Sequence, residues 1–194
     1  MEAFVDEFAP TGSSSILDVG GTETNWRFVD IPSRIVLLNL TVPEGGDERA
    51  SNIEWVAGDG CDLQYDDDAF DICFSNSTIE HLHTYENQQR FAAEVRRVAR
   101  SYYVQTPAKS FPFEPHWLGF FVHWLPRRWQ PRVARWGTVY GLAVKPSPSE
   151  VDALVDEYRL LSYREMRALF PDGEIRRERF LLMPKSYVAV RRLA

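Results

Sequence analysis

Two continuous apolar runs near the start of the chain constrain the fold most strongly. The first run, SSSILDVGG, stops at Gly20-Gly21, and the second, RIVLLNL, extends from Arg34 to Leu40. Continuous runs of this kind are typical of strands that are covered on both faces of a parallel sheet, whereas half-exposed strands alternate. The chain is therefore predicted to begin with buried parallel strands, the first of which ends in a glycine turn.

Later segments alternate between strand and helix patterns. Apolar runs predict a third strand at Ile53–Ala57, a fourth at Phe70–Ser75 and a fifth in SYYVQTP. The segment YENQQRFAAEVRRVAR places its apolar residues on one face at the 3.6-residue period, which predicts an amphipathic helix over Tyr85–Arg100. A short crossover helix is expected around Asn25–Val29. Residues 41–52, which contain Pro and Gly-Gly, are predicted to form a loop.

The C-terminal segments complete the predicted fold. SPSEVDALVDEY and SYREMRALFPDG predict two Ser-capped helices, and EIRRERFLLM and KSYVAVRR alternate like an antiparallel pair at a sheet edge. The elements together predict an α/β fold with a doubly wound, mostly parallel seven-stranded sheet, an antiparallel C-terminal edge and a helical cap insertion. At 194 residues, the chain is expected to form one domain over residues 1–194.

Charge and cysteine usage argue against several functional classes. The net charge of −6 disfavours a nucleic-acid binder, because such binding depends on Lys and Arg. Cys61 and Cys73 belong to no CxxC motif or Cys/His cluster, so neither a zinc site nor a disulfide framework is predicted. The acidic first residues lack a signal-peptide pattern, and the cytoplasm is the expected compartment. The oligomeric state stays open, with an oligomer among the alternatives.

The segment at about 110–148 has a different texture and is predicted to be an inserted cap. Four of the six tryptophans and six of the twelve prolines lie between Pro112 and Pro148, together with several arginines. This pattern fits a lid over an apolar acceptor, a peripheral contact with an anionic membrane surface, or packing against the sheet. The sequence favours packing combined with a lid wall.

Polar and glycine residues stand where the predicted strands end. Asp18–Thr22 ends the first strand, Asn39 the second, Asp59–Cys61 the third and Ser75–Ser77 the fourth. In an open parallel sheet the ligand crevice lies at the carboxyl ends of the strands, where the strand order reverses. Glycines after the first strand allow a ligand to approach the backbone closely, and the start of a following helix favours an anion.

These four strand ends resemble a known family. ILDVGGT, then an apolar strand, GDGCDL and DDDAFDICFSNSTIEHL are similar to the class I S-adenosylmethionine-dependent methyltransferases, and closest to their small-molecule branch with the DVGGT variant. The resemblance is strong from Ile16 to about Pro107 and continues more loosely through the rest of the chain. It implies a Rossmann-like methyltransferase fold with S-adenosylmethionine as the cofactor.

The resemblance also implies a role for each strand end in holding this cofactor. The loop around its methionine end is matched by Asp18, Gly20, Gly21 and Thr22. The end of the second strand, where an acid normally binds the ribose hydroxyls, is Asn39 followed by Leu40. Asp59 matches the acid that accepts from the adenine amino group, and Gly60 and Cys61 match the residues lining the ring. The strand end beside the sulfonium is matched by Ser75 and Asn76.

Two departures from the family pattern motivate a competing hypothesis. Glu23 and Thr24 follow Thr22 where the usual loop has more glycine, which places a negative charge near the expected cofactor carboxylate. Asn39 replaces a carboxylate and offers only neutral hydrogen bonds. The alternative function is therefore a non-catalytic, S-adenosylmethionine-binding or regulatory protein. A nucleotide-linked oxidoreductase is disfavoured because DVGGTET lacks the GxGxxG spacing.

Histidines are the candidates for a general base. A methyl acceptor that is a hydroxyl must lose a proton, and a side chain with a pKa near the working pH assists this. His81 is the first candidate because it follows the fourth strand. His116 and His123 are seven residues apart, which would place them on one helical face with Glu114 toward the acceptor. His81 and His83 would share a face of a strand, but no third ligand is in sight, so no metal site is predicted.

The sequence thus predicts methyl transfer from S-adenosylmethionine to an O or N atom of a small-molecule or glycolipid-like acceptor. The expected partners are a small molecule or a lipid- or glycan-linked acceptor, with no nucleic acid. Peripheral membrane contact through the Trp- and Arg-rich cap is a further expectation.

Overall fold

The computed structural model describes residues 1–29, 31–42, 52–114 and 117–193. Its strands are β1 (Ser15–Val19), β2 (Arg34–Asn39), β3 (Ile53–Ala57), β4 (Phe70–Asn76), β5 (Ala99–Pro107), β6 (Phe113–Glu114), β7 (Gly119–Phe120), β8 (Glu174–Phe180) and β9 (Met183–Arg191). Its α-helices are α1 (Glu2–Phe8), α2 (Glu23–Trp26), α3 (Tyr85–Val98), α4 (Gln130–Gly137), α5 (Val139–Val144), α6 (Pro148–Glu157) and α7 (Tyr163–Leu169).

Seven strands form one sheet in the order β3-β2-β1-β4-β5-β9-β8. The first five are parallel to one another, and β9 runs antiparallel to both β5 and β8. The predicted doubly wound, mostly parallel seven-stranded sheet with an antiparallel C-terminal edge is confirmed. The strand order reverses between β1 and β4, so a crevice is expected beside the end of β1.

Both faces of the sheet are covered because consecutive side chains of each buried strand point to opposite sides. Leu17 and Val19 belong to a cluster with residues of α3 and α7. Ile16 on the same strand belongs to a second cluster, which includes Phe4 of α1 and Trp26 of α2. The sequence patterns had not indicated α1, whose Phe4 is fully buried against the sheet.

Several local expectations were wrong or only approximate. The crossover helix is the single turn α2, which begins two residues before the expected Asn25. His81 lies in a 3₁₀ turn (Ile79–His81), and His83 has a positive φ of 59°, so the two do not share a strand face. Of the loop predicted over residues 41–52, residues 43–51 lie outside the described residues.

The cap is built from short elements. The hairpin β6–β7 is followed by the 3₁₀ turns Val122–Trp124 and Arg127–Trp129 and then by α4 and α5. His123 lies in the first of these turns, beyond a strand, so the prediction that it shares a helical face with residue 116 was wrong. The cap shares a buried cluster with α6, and its members are Trp117, Val122, Ala134, Val151 and Val155. In the described parts of the chain, no helix is both long and apolar enough to cross a membrane.

Candidate functional site

A cleft of about 460 Å³ lies at the carboxyl ends of β1 and β2, beside the turn that follows β4. This volume is within the range of small-molecule sites. The cleft brings together eight of the predicted site residues: Gly20, Gly21, Thr22, Asn39, Leu40, Asp59, Gly60 and His81. Four other predicted residues are not part of its lining: Asp18, Cys61, Ser75 and Asn76.

The turn after β1 requires glycine at both positions. Gly20 has a φ of +78°, and its N–H donates to the Leu38 carbonyl at 2.8 Å. A Cβ on Gly20 would lie 2.3 Å from Thr78 Oγ1, and a Cβ on Gly21 would lie 1.7 Å from the Asp18 carboxylate. The turn therefore packs tightly onto Thr78 and Asp18, and both glycines line the cleft.

Asp18 supports this turn from beneath rather than facing the cleft. Its side chain is fully buried, and Oδ2 accepts a hydrogen bond of 2.7 Å from the Trp26 indole N–H. Its Oδ1 has no hydrogen-bond partner among the described residues. Burial raises the pKa of Asp18 to about 7, although the indole bond favours the ionised form.

Glu23 does not bring its charge to the cleft as the sequence had suggested. Its Oε1 accepts a hydrogen bond of 2.7 Å from the indole N–H of Trp55, and Oε2 lies 3.6 Å from Arg27. The Glu23 carboxylate is thus hydrogen-bonded to Trp55. Trp55 lines the cleft, whereas Glu23 is not among the lining residues. The helix α2 that Glu23 begins is a single turn, so the anion-binding capacity of this loop rests on its own backbone N–H groups.

Asn39 is oriented by the glycine turn. Its Nδ2 donates to the Gly21 carbonyl at 2.9 Å, which fixes the amide because a carbonyl can only accept. The Oδ1 atom is therefore the group that can accept from a ligand hydroxyl. Leu40, the next residue, lines the cleft with a largely exposed side chain.

The end of β3 places a carboxylate at the cleft. Asp59 is exposed, and its Oδ1 accepts from the Cys61 N–H at 2.8 Å, which holds the side chain in place. A Cβ on Gly60 would lie 2.8 Å from Val19 and 3.1 Å from the Phe91 ring, so glycine lets this loop approach the cleft floor. Burial and the charge of Asp59 raise the pKa of the Cys61 thiol to about 11, so this thiol stays protonated.

At the end of β4, the predicted cofactor residues Ser75 and Asn76 do not line the cleft. Ser75 is buried and its hydroxyl donates to the Val19 carbonyl at 2.9 Å, so its side chain fastens β4 to β1. Asn76 is exposed outside the cleft lining. Thr78 lines the cleft instead and donates to the same carbonyl at 3.1 Å.

Several lining residues had no distinguishing sequence signal. The apolar walls include Trp55, Leu82 and Phe91, which come from three different elements. Phe91 was predicted on the apolar face of its helix, but nothing in that periodicity separates a cleft wall from ordinary core. The alternation of β3 could have indicated Trp55, because that strand is only half-buried.

His81 stands at the cleft in a turn that other elements hold. Its Nδ1 lies 3.8 Å from Glu157 Oε1, and its ring meets Tyr158 edge-on at 6.1 Å. The buried amide of Gln88 donates to the Ile79 carbonyl at 3.0 Å and to the Arg159 carbonyl at 2.8 Å, which joins this turn to the segment after α6. His81 is thus a partly exposed imidazole at the cleft wall.

Of the other candidate histidines, His123 is not among the lining residues of this cleft. His116 lies outside the described residues. His123 Nε2 is 3.1 Å from the Lys109 carbonyl, in the cap. Glu114 is the last residue of β6. In the described portion of the sequence, no group of three or more His, Cys, Asp or Glu side chains is arranged to hold a metal ion.

A second, apolar cavity of about 270 Å³ opens beyond the end of β5. Its lining consists of Gln105, Pro107, Ala108, Phe111, Phe113, Leu160, Lys185 and Ser186. Ser77, which lines the first cleft, donates from its backbone N–H to the Gln105 carbonyl at 3.0 Å. The two cavities are therefore separated by one hydrogen-bonded pair of residues.

Comparison with protein families gives one match. Residues 36–102, about a third of the chain, match the model of a methyltransferase domain. No curated protein sequence matches the chain. The matched range contains most of β2, all of β3, β4 and α3, and the start of β5, and therefore the part of the cleft formed by Asn39, Asp59 and His81.

Comparison with solved structures shows the fold. The Burkholderia thailandensis 1,6-didemethyltoxoflavin-N1-methyltransferase aligns with a TM-score of 0.59 and 13% identity over 97% of this chain and 73% of that protein. Phosphoethanolamine N-methyltransferase 2 of Haemonchus contortus aligns with a TM-score of 0.60 and 12% identity over 91% of this chain, which spans only 37% of that protein. A Rhodobacter sphaeroides protein named for the Zn-dependent alcohol dehydrogenases aligns with a TM-score of 0.65 and 12% identity over 97% and 86% of the two chains.

Identities this low establish a shared architecture, and the differing names of these proteins show that the architecture alone does not fix an activity. The domain match, on this fold, supports an S-adenosylmethionine-dependent methyltransferase with S-adenosylmethionine as its cofactor.

Proposed function

We propose that this protein transfers a methyl group from S-adenosylmethionine to an O or N atom of a small-molecule or glycolipid-like acceptor. The observation that carries the proposal is the convergence of Gly20-Gly21, Asn39 and Asp59 on one cleft at the switch point of the sheet. These residues come from three strand ends that are far apart in sequence. Their convergence is what a site for an extended, polar cofactor needs.

The cleft fits the cofactor in three respects. Gly20 and Gly21 line the cleft where the methionine end would lie, the Asn39 Oδ1 atom can accept from a ribose hydroxyl, and the Asp59 carboxylate can accept from the adenine amino group. The apolar walls contributed by Trp55, Leu82 and Phe91 suit an aromatic base. Asp18 and Ser75 act indirectly by holding the turn and β4 in place.

The cofactor supplies an activated methyl group, and the chain supplies position and desolvation. Methyl transfer requires an in-line approach of the acceptor atom, so fixing the two reactants in one cleft lowers the barrier. We propose His81 as the side chain that accepts a proton when the acceptor is a hydroxyl, because it is the imidazole at the cleft wall. An amine acceptor that is already neutral would not need it.

The second cavity is the proposed acceptor site. Its walls are mainly apolar, with Gln105, Lys185 and Ser186 as the polar residues, and it adjoins the cofactor cleft through the Ser77–Gln105 pair. An acceptor with an apolar portion and a polar or anionic head fits this lining. The didemethyltoxoflavin bound by the Burkholderia neighbour is a small molecule, which is consistent with such an acceptor.

The free cysteines Cys61 and Cys73 are compatible with the proposed compartment, the reducing cytoplasm.

The cofactor assignment is tested with Asp59→Ala. Loss of a charge-assisted hydrogen bond to the adenine amino group should weaken the binding of S-adenosylmethionine and of S-adenosylhomocysteine about tenfold or more, as measured by isothermal titration calorimetry. Asp62→Ala is the matched control, because Asp62 is an exposed carboxylate three residues away that does not line the cleft. Equal affinity in the two variants would remove Asp59 from the adenine site.

The non-catalytic alternative is favoured by one observation, the neutral amide at position 39. An amide bonds ribose hydroxyls more weakly than a carboxylate does, so the cleft could bind the cofactor without rapid turnover. Transfer of a radiolabelled methyl group to any member of a broad acceptor panel would exclude this alternative. Binding of S-adenosylmethionine with no transfer, or with transfer only when a second protein is added, would favour it.

A further inference from the structure

We propose that the tip of the β8–β9 hairpin, residues Phe180–Met183, inserts into the surface of an anionic membrane. The four side chains are all apolar and all exposed, and Leu181 and Leu182 expose 84% and 87% of their surface. An exposed run of consecutive apolar residues marks an interaction surface. The inference concerns where the protein docks and does not depend on methyl transfer.

The tip has an apolar side chain at a backbone conformation that is unfavourable for it. Phe180 pairs with Met183, so Leu181 and Leu182 form a two-residue turn, and Leu181 has a φ of 55°. Turns of this length use Gly or Asn at positions with positive φ. Leucine at such a position is unfavourable for the fold, so an exposed leucine there points to a use for its side chain outside the fold.

Exposed apolar residues with positive φ also occur on the adjacent cap. Leu118 and Phe121 are also exposed and have φ values of 47° and 61°. Ring contacts connect Phe121 with Phe120 at 6.2 Å and with Trp124 at 5.1 Å, which forms an exposed aromatic strip. At the tip, Phe180 meets the ring of Phe111 edge-on at 6.3 Å, and the Phe111 backbone begins the cap.

The basic residues on the cap and beside the tip favour an anionic membrane surface as the partner. The chain as a whole has a net charge of −6, yet residues 109–148 contain six Lys and Arg against one acidic residue. Arg179 and Lys185 flank the tip, and both are exposed. A convex apolar tip with a basic rim matches the boundary between anionic headgroups and acyl chains.

The tip lies next to the apolar cavity beyond the end of β5. Pro107 at the end of β5 pairs with Ser186, so Met183 lies three residues beyond the carboxyl edge of the sheet. At the rise of an extended strand this is roughly 10 Å, comparable with the depth at which interfacial side chains enter a bilayer. Lys185 and Ser186 line the apolar cavity at the base of the tip, so that cavity would open near the membrane surface.

The test is flotation of the full chain with vesicles of phosphatidylcholine alone or of equimolar phosphatidylcholine and phosphatidylglycerol. The wild type should float with the anionic vesicles and not with the neutral ones. The double variant Leu181→Gly/Leu182→Asn should lose at least about tenfold in partitioning, because two large apolar side chains are removed. Its melting temperature should stay the same or rise, because glycine relieves the positive φ, so misfolding would not explain a loss.

Phe28→Asn is the matched control, because Phe28 is 84% exposed, like Leu181, but lies outside the cap and the tip. This variant should bind vesicles as the wild type does. The proposal is overturned if the wild type ignores anionic vesicles, if it binds neutral vesicles equally well, or if the double variant binds unchanged. It is also overturned if sedimentation velocity shows a wild-type dimer that the double variant cannot form, because the tip then contacts a second copy.

Discussion

At the scale of single residues, Asp18 shows how one side chain can be required at a site without facing it. It is completely buried, it accepts from Trp26, and it leaves no room for a side chain at Gly21. The cost of burying its charge raises the pKa to about 7. The turn above it is therefore supported by a carboxyl group that titrates near neutral pH.

This predicts a pH-dependent contribution to stability. The pKa of Asp18 is raised on folding, so the folded state binds more protons than the unfolded state between about pH 4 and 7, and stability falls as the pH rises through that window. Between about pH 5 and 8 the wild type should lose about 2–3 kcal/mol relative to Asp18→Asn, which cannot ionise. Urea denaturation of both proteins across this range measures the difference. Parallel profiles would mean that Asp18 does not titrate as inferred.

At the scale of elements, the β1–α2 turn depends on glycine for two distinct reasons. Gly20 needs its positive φ, whereas Gly21 needs the absence of a Cβ. The same turn receives the Asn39 amide on its carbonyl, so its conformation also sets the orientation of the β2 end. A change in the turn should therefore affect more than one part of the cleft.

Gly21→Ala tests this dependence. Its methyl group would overlap the Asp18 carboxylate, so we expect a loss of about 1–3 kcal/mol in the free energy of unfolding and weaker S-adenosylmethionine binding. Gly12→Ala is the control, since the nearest atom to its Cβ would be Pro32 Cβ at 3.8 Å. Denaturant unfolding and calorimetry check both variants. If the two variants behave alike, the tight packing at Gly21 is not important for the turn.

At the scale of the whole molecule, the cap and the sheet are packed around different clusters. The two clusters on the faces of the sheet contain the strands, whereas the cap cluster is formed by Trp117 with residues of α4 and α6. We propose that residues 1–194 are one domain in which the cap at about 110–148 is an insertion that packs together with α6 around a cluster separate from those of the sheet. Such an insertion could loosen without unfolding the sheet.

Trp117→Ala tests this independence. Removing a fully buried indole should destabilise the cap by about 3–5 kcal/mol. Hydrogen exchange should accelerate in α4 and α6 and stay unchanged in β1, β4 and β5. Trp136→Ala is the control, because that indole is 66% exposed. Faster exchange throughout the sheet would show that the cap and the sheet unfold together.

Hydrophobic periodicity and strand-end motifs were enough to predict the sheet, its antiparallel edge, α3, α6 and α7. These signals are local, because burial on both faces makes a strand continuously apolar and a capping serine starts a helix at a defined residue. The Ser147 and Ser162 caps confirm this, since each accepts from the N–H three residues later. The elements of the cap were harder to predict, because most of its segments are too short to show a repeating pattern of apolar residues.

The sequence by itself determined that glycines and polar residues would meet at the ends of parallel strands, because chain direction places those ends at one edge. Only the tertiary structure decided which of them face the cleft. Asp18 and Ser75 are turned into the protein, Glu23 is drawn to the Trp55 indole, and Thr78 takes a place that no motif had indicated. Whether a side chain faces the cleft or bonds to another part of the protein depends on partners that are distant in sequence. Local sequence patterns do not identify those partners.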